Sequence, residues 1–199
     1  MKKDGTLDLR IKRTQNAIKE SFFYLIKDIG FEKISVKNLT EHAMISRNTF
    51  YLHYSDKYDL LKKICDQMIR SLFFRVGKQV RRIQKKNEPT TFEDIAFIMS
   101  IGLKAIDEER EEYKILFSSS SCDILIERLS AVITRFLDLF TQPFGGIDNL
   151  STQYIVNGLI GIIKYYVMND VENIDEKCLA FAKLHMGRVI EYVNEKTNG

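Results

Sequence analysis

Apolar residues recur along almost the whole chain at spacings of three, four and seven, the period of one face of an α-helix. In the first stretch Ile11, Ile18, Phe22, Leu25 and Ile29 form a single stripe, and Gly30 stands where a helix-ending glycine belongs. Ser35 is placed to cap a short second helix with Leu39 and Ala43 on its inner face. Ser46 is placed to cap a third, in which Phe50 and Tyr54 lie one turn apart. Asp56, with Asp59 three positions on, has the layout of a capping box for a further helix start. From there Leu60, Ile64, Met68, Leu72, Val76 and Val80 step by four, with Leu61, Cys65, Ile69 and Phe73 beside them. This pattern predicts one amphipathic helix of roughly 40 Å, bent at Gly77 if anywhere, and no Pro-, Gly- or Ser-rich linker separates it from what precedes.

Asn87-Glu88-Pro89 ends the long helix, and Thr90 or Thr91 caps the next, whose stripe is Phe92, Ile95, Ala96, Met99, Leu103 and Ile106. An acidic stretch, Asp107–Glu112, leads to Tyr113, Leu116 and Phe117 and a loop at Ser118–Ser121. Leu125, Leu129, Val132, Phe136 and Phe140 mark another helix. Pro143-Phe144-Gly145-Gly146 is the clearest turn, and two last helices, over about 150–169 and 175–195, are joined by the polar Asn169–Asn173. No alternating strand pattern of useful length and no internal repeat is present. The expected fold is all-α, with a three-helix head over 1–56 containing a helix-turn-helix and a larger helical domain over 57–199.

Composition narrows the function classes. With 45% apolar residues in 199, the chain can bury a core without disulfide staples. Its net charge of +3 does not make it a general polyanion binder, but the excess is local. Residues 1–60 hold 11 Lys/Arg against 8 Asp/Glu, and the remainder is balanced. Cys65, Cys122 and Cys178 are odd in number and form no CxxC pair, which speaks against a disulfide framework or a zinc site and fits a reducing cytoplasm. His53 has no partner histidine at ligand spacing, so no metal and no cofactor are expected. The start, MKKDGTLDLRIKR, lacks the apolar stretch of a signal peptide. Tyr154–Val167, the longest apolar run, is broken by Lys164 and is too short to span a bilayer. A cytoplasmic chain with no membrane partner is expected.

The segment Ser35–Tyr54 has the layout of a DNA-reading helix pair: two short amphipathic helices, a tight turn at Met44-Ile45, and a second helix opening with long polar side chains. Arg47 is suited to guanine O6/N7 and Asn48 to adenine N6/N7, which makes them the candidate base readers. Ser35, Lys37, Ser46, Thr49, Tyr51, His53 and Lys57 offer donors where phosphates would pass. Arg81, Arg82, Lys85 and Lys86 resemble a second basic patch, but cations at the end of a long helix offset its dipole and are read as solvated.

Ala43-Met44-Ile45-Ser46-Arg47-Asn48-Thr49-Phe50-Tyr51-Leu52-His53-Tyr54, followed by Asp56-Lys57 and Leu60-Leu61, resembles the signature of the TetR family of transcription regulators over about residues 9–61. Met44 departs from it, because most members carry glycine in that turn. Gly158-Leu159-Ile160-Gly161-Ile162-Ile163 with Lys164-Tyr165-Tyr166 is similar to a subgroup that includes regulators of dihydroxyacetone kinase operons. The resemblance implies a homodimer of all-α subunits that binds double-stranded DNA at a palindromic operator. Members are usually repressors, released when a small-molecule effector binds inside the larger domain.

Phe73, Met99, Phe117, Phe136, Tyr165 and Tyr166 are the candidates for lining an effector pocket. The run Tyr154–Val167 is apolar nearly all round and should be buried on more than one side. Gly158, Gly161 and Ile162, with Leu179, Ala182, Met186, Val189 and Val193 of the last helix, are therefore expected to form a four-helix dimer interface. Two other readings stand beside the effector-released repressor. One is an activator controlled by a protein coactivator. The other is a helical enzyme, for which no GxSxG, HExxH or phosphate-cradling glycine loop exists in the sequence.

Overall fold

The computed structural model describes residues 4–85, 91–141 and 147–187, and it is helical throughout, with no strand among them. The helices are α1 (Asp4–Ile29), α2 (Val36–His42), α3 (Arg47–Tyr51), α4 (Lys57–Gln84), α5 (Phe92–Asp107), α6 (Arg110–Ser118), α7 (Cys122–Thr141), α8 (Asn149–Met168) and α9 (Ile174–His185). A 3₁₀ turn at Phe31–Lys33, which the apolar period gives no sign of, follows α1. The expected turn at Pro143–Gly146 and the end of the last helix lie outside the described residues, whereas α4 runs unbroken through Gly77. The chain divides into two compact units, Met1–Gln67 with Ile115–Leu125, and Met68–Lys114 with Ile126–Gly199. The first unit thus extends beyond the 1–56 head expected from sequence and takes in a segment distant in the chain.

The first unit is built on the stripe of α1. Ile18 and Phe22 are fully buried, together with Leu39 of α2, Phe50 of α3 and Leu60 and Leu61 of α4. Each such side chain contributes about 1.5–3 kcal/mol by leaving water. Phe22 meets Phe31 edge to face with ring centres 6.1 Å apart, fixing the 3₁₀ turn against α1. Ile11, the first residue of the expected stripe, stays exposed. Gly30 carries φ 79° and ψ 151°, a region open to glycine alone, where sequence predicted the ordinary left-handed helix end.

In the second unit α9 packs along α5, and α8 also meets α5. Thr91 caps α5 in a full capping box with Asp94. Polar ties hold the helix ends. Lys104 Nζ lies 2.8 Å from Asp175 near the start of α9, and Ser100 donates to the same carboxylate. Arg110 donates to the carbonyls of Tyr166 at 2.7 Å and Asn169 at 2.5 Å, so a side chain from α6 satisfies the open end of α8. Arg75 of α4 pairs with Glu108.

Candidate functional site

The turn between α2 and α3 closes in a Schellman arrangement. The Met44 amide donates to Glu41 O at 3.3 Å and the Ile45 amide to Thr40 O at 3.0 Å. This closure needs a left-handed residue, and Met44 supplies it at φ 54° with its side chain 92% exposed. The missing glycine therefore leaves the turn type intact and makes a side chain carry its strain.

Ser46 then caps α3: its Oγ accepts from the Thr49 amide at 3.0 Å and lies 2.8 Å from Thr49 Oγ1. Phe50 is fully buried and Tyr54 nearly so, their rings 5.5 Å apart, which anchors the inner face of α3. Burial also pushes the Tyr54 phenol above its ordinary pKa. The outer face carries Arg47, Asn48, Tyr51 and Leu52, all exposed. Among the described residues, no hydrogen bond or ion pair holds the Arg47 guanidinium or the Asn48 amide. Leu52, 81% exposed at the end of the helix one turn from Asn48, was missed as a candidate because an apolar residue in a short helix reads as core.

The remaining expected phosphate donors are spread over the head. Ser35 caps α2 in a capping box with Asn38, so its hydroxyl is already in use. Lys37 is exposed, 3.9 Å from Glu41, and His53 is half-buried beside Tyr54. Lys57 is already engaged within the head. Its ammonium donates to Phe31 O at 3.0 Å and Glu32 O at 2.9 Å and sits 4.7 Å from the Phe31 ring centre. Two of its three donors and its ring contact are thus turned into the head, tying α4 to the 3₁₀ turn.

Lys63, which no sequence pattern singles out, does the same one turn and a half later. Its Nζ donates to His53 O at 2.8 Å, just beyond the end of α3, and to Asp59 Oδ2 at 2.9 Å. Asp56 caps α4 by accepting from the Tyr58 and Asp59 amides, each at 2.8 Å. The Asp59 carboxylate reaches back to the Ser55 amide instead of Asp56, a variant of the expected box. The bond from Lys63 holds Asp59 below the usual carboxylate pKa, with the Ser55 amide adding to it. Ser120 Oγ donates to Glu32 Oε1 at 3.0 Å, which joins the loop after α6 to the same 3₁₀ turn.

The second unit contains a cavity of about 140 Å³. Met99 and Phe136 line it, as do Leu72 and Val76 of α4, Gly102 of α5 and Ile162 of α8. The other four expected pocket residues lie elsewhere. Phe73 stacks on Phe136 with ring centres 5.0 Å apart but does not line the void, and Phe117 is a buried residue of the first unit. Tyr165 is 64% exposed, and Tyr166 is buried against Arg110, 4.9 Å from its ring centre.

The expected dimer face is also redistributed. Ala182 and Met186 are buried within the unit, Met186 and Ile162 at the cavity, while Leu179 is half-buried. Val189 and Val193 lie outside the described residues. Gly158 and Gly161 are exposed, and a Cβ at either would meet nothing within 4 Å. They fall on a stripe of α8 with Leu150, Tyr154 and Tyr165, which are 81%, 68% and 64% exposed. Sequence could not separate this outer stripe from the inner ones because α8 is apolar on both.

Among the described residues, no helix is long and apolar enough to cross a membrane, and no group of three His, Cys, Asp or Glu is placed to hold a metal. Burial pushes the Cys178 thiol up to about 11, which keeps it protonated and unreactive.

Residues 24–64 match the family described as "Bacterial regulatory proteins, tetR family". A stretch of 55 residues is 33% identical to "Uncharacterized HTH-type transcriptional regulator YxbF" of Bacillus subtilis (strain 168), covering 28% of this chain and 14% of that protein's length. Solved structures resemble the chain over nearly its whole length. A TetR-family transcriptional regulator from Syntrophomonas wolfei superposes with a TM-score of 0.67 at 17% identity, covering 88% of this chain and 96% of that one. A TetR transcriptional regulator from Streptococcus agalactiae 2603V gives 0.59 at 20% identity, covering 95% and 98%. At such identities the likeness establishes a shared fold.

Proposed function

With a tetR-family helix-turn-helix domain at residues 24–64 as the premise, we propose that the protein is a sequence-specific DNA-binding transcription regulator. It acts as a homodimeric repressor on a palindromic operator and is released by a small molecule. The observation that carries this reading is the outer face of α3, where Arg47 and Asn48 stand exposed on a helix held from behind by Phe50 and capped by Ser46. Arg47 reads guanine and Asn48 adenine from the major groove, each bidentate contact giving about 1–3 kcal/mol of discrimination. Thr49 and Tyr51 supply phosphate contacts, with backbone amides at helix starts beside them.

Two subunits place their α3 helices in successive major grooves when these are about 34–36 Å apart or a multiple of that. The open stripe of α8 supports the dimer, because Gly158 and Gly161 allow a partner helix to approach closely. The cavity supports a small molecule over a protein coactivator as effector. One unbroken helix, α4, carries Lys57 and Lys63, which hold head carbonyls, and also Leu72 and Val76, which line the cavity. An effector that prefers the DNA-incompetent arrangement of α4 lowers operator affinity without touching DNA.

The test is selection of bound fragments from the host genome with the purified protein, followed by titration of the recovered sequence across a salt series. Arg47→Ala and Asn48→Ala should each relax specificity at one base position per half-site, with a loss of about tenfold to a hundredfold. Unchanged affinity for both variants at every salt concentration would remove α3 as the reading element.

A further inference from the structure

We propose that the cavity in the second unit binds a small neutral hydrocarbon group, a single aromatic ring or a short alkyl chain, with no charge and no hydrogen-bonding atom inside. This deepens the preceding reading, in which the second unit is the effector domain, by naming the chemistry of what it takes. Sixteen residues line the cavity, and all are Leu, Ile, Val, Met or Phe except Gly102. No lining side chain can receive a hydroxyl, amine or carboxylate, so any such group placed there gives up its water without replacement.

Polar groups close in sequence to the lining residues of α5 are engaged with other partners. Ser100 and Lys104 hold Asp175, and Arg110 holds Asp107 and the carbonyls at the end of α8. At about 140 Å³ the cavity is close in size to the roughly 150 Å³ apolar cavity that stays dry and takes benzene or xenon. Met99 and Met186, at different points on its wall, give it soft and adaptable surfaces. Gly102 is the place where a side chain would project into the space, and its Cβ would lie 3.6 Å from Val76 Cγ2, an ordinary contact.

The experiment uses the full chain with ¹³C-labelled methionine methyl groups, assigned through Met99→Leu and Met186→Leu, and titrates it with benzene, phenol and benzoate. Benzene should shift the Met99 and Met186 signals saturably and leave that of exposed Met44 in place. Phenol should bind at least about tenfold more weakly, and benzoate not at all. Gly102→Leu should abolish the benzene shifts. Should that variant not fold, the three solutes on the wild-type chain decide the matter. Phenol or benzoate binding as tightly as benzene, or no shift of Met99 and Met186 up to the solubility of benzene, overturns the proposal.

Operator affinity is measured in the same samples with and without benzene. Methionine shifts with unchanged operator affinity uphold the hydrocarbon site and overturn release by an effector. Methionine shifts in a chain that binds no DNA fragment uphold the site and overturn the regulator reading.

Discussion

Replacing Met44 with glycine should make the protein more stable, although it deletes a whole side chain. The left-handed backbone at φ 54° costs a residue with a Cβ about 1–2 kcal/mol relative to glycine. Almost nothing is lost in return, since the side chain is 92% exposed. The offset lies in the unfolded chain, where glycine's extra freedom costs roughly 0.4–1 kcal/mol. The net gain is about 0.5–1 kcal/mol. For a chain of this length that raises Tm by about 2–4 °C per kcal/mol, and by more if the head melts as its own smaller unit.

Met44→Ala separates cause from coincidence, because it removes the same exposed atoms but keeps the Cβ. It should stay near wild type, and Met44→Val, β-branched in the same region, should lose about another 1 kcal/mol. Urea titrations followed by circular dichroism, compared at a common slope, measure all four proteins. The reasoning is refuted if Met44→Ala gains as much as Met44→Gly, or if Met44→Gly is less stable than the parent.

Three further outcomes follow from the head. Gly30→Ala should lose about 1–3 kcal/mol in the same urea assay, because φ 79° with ψ 151° excludes a Cβ even though the space around it is empty. Lys57→Met should lower stability by about 0.5–1.5 kcal/mol through the lost bonds to the Phe31 and Glu32 carbonyls, while leaving the salt dependence of DNA binding unchanged; a reduced salt slope would return Lys57 to the phosphate contacts. Asp59 has a folded pKa below its ordinary 3.8, so its stabilisation is fully present above that value and is lost as pH falls through the lower folded value. Wild type and Asp59→Asn should therefore differ near neutral pH and converge in acid, as thermal melts from pH 7 down to about 2 will show.

The helices themselves were legible because each buries one stripe. Ile18, Phe22, Leu39, Phe50 and Leu60 fall where the period places them, and Ser35, Ser46 and Thr91 cap where polar residues precede apolar runs. The candidate reading face was legible for the same reason, since it is what remains of α3 once Phe50 and Tyr54 turn inward. What could not be read are side chains that satisfy distant carbonyls. Lys57 reads as a phosphate donor and nothing marks Lys63 or Arg110, because their partners lie 26, 10 and 56 residues away. Nor does a period distinguish Met99, which lines the cavity, from Phe117, which is buried in the other unit, because both sit on an apolar stripe.

The cavity has a consequence for how the protein responds to compression. Hydrostatic pressure favours whichever state has the smaller volume, and the space in an apolar cavity is lost when the chain around it opens. Unfolding volumes on the order of −20 to −100 mL/mol scale with such voids. The unit holding α5, α8 and α9 should therefore lose stability as pressure rises. Benzene at the Met99 wall should raise the pressure it withstands.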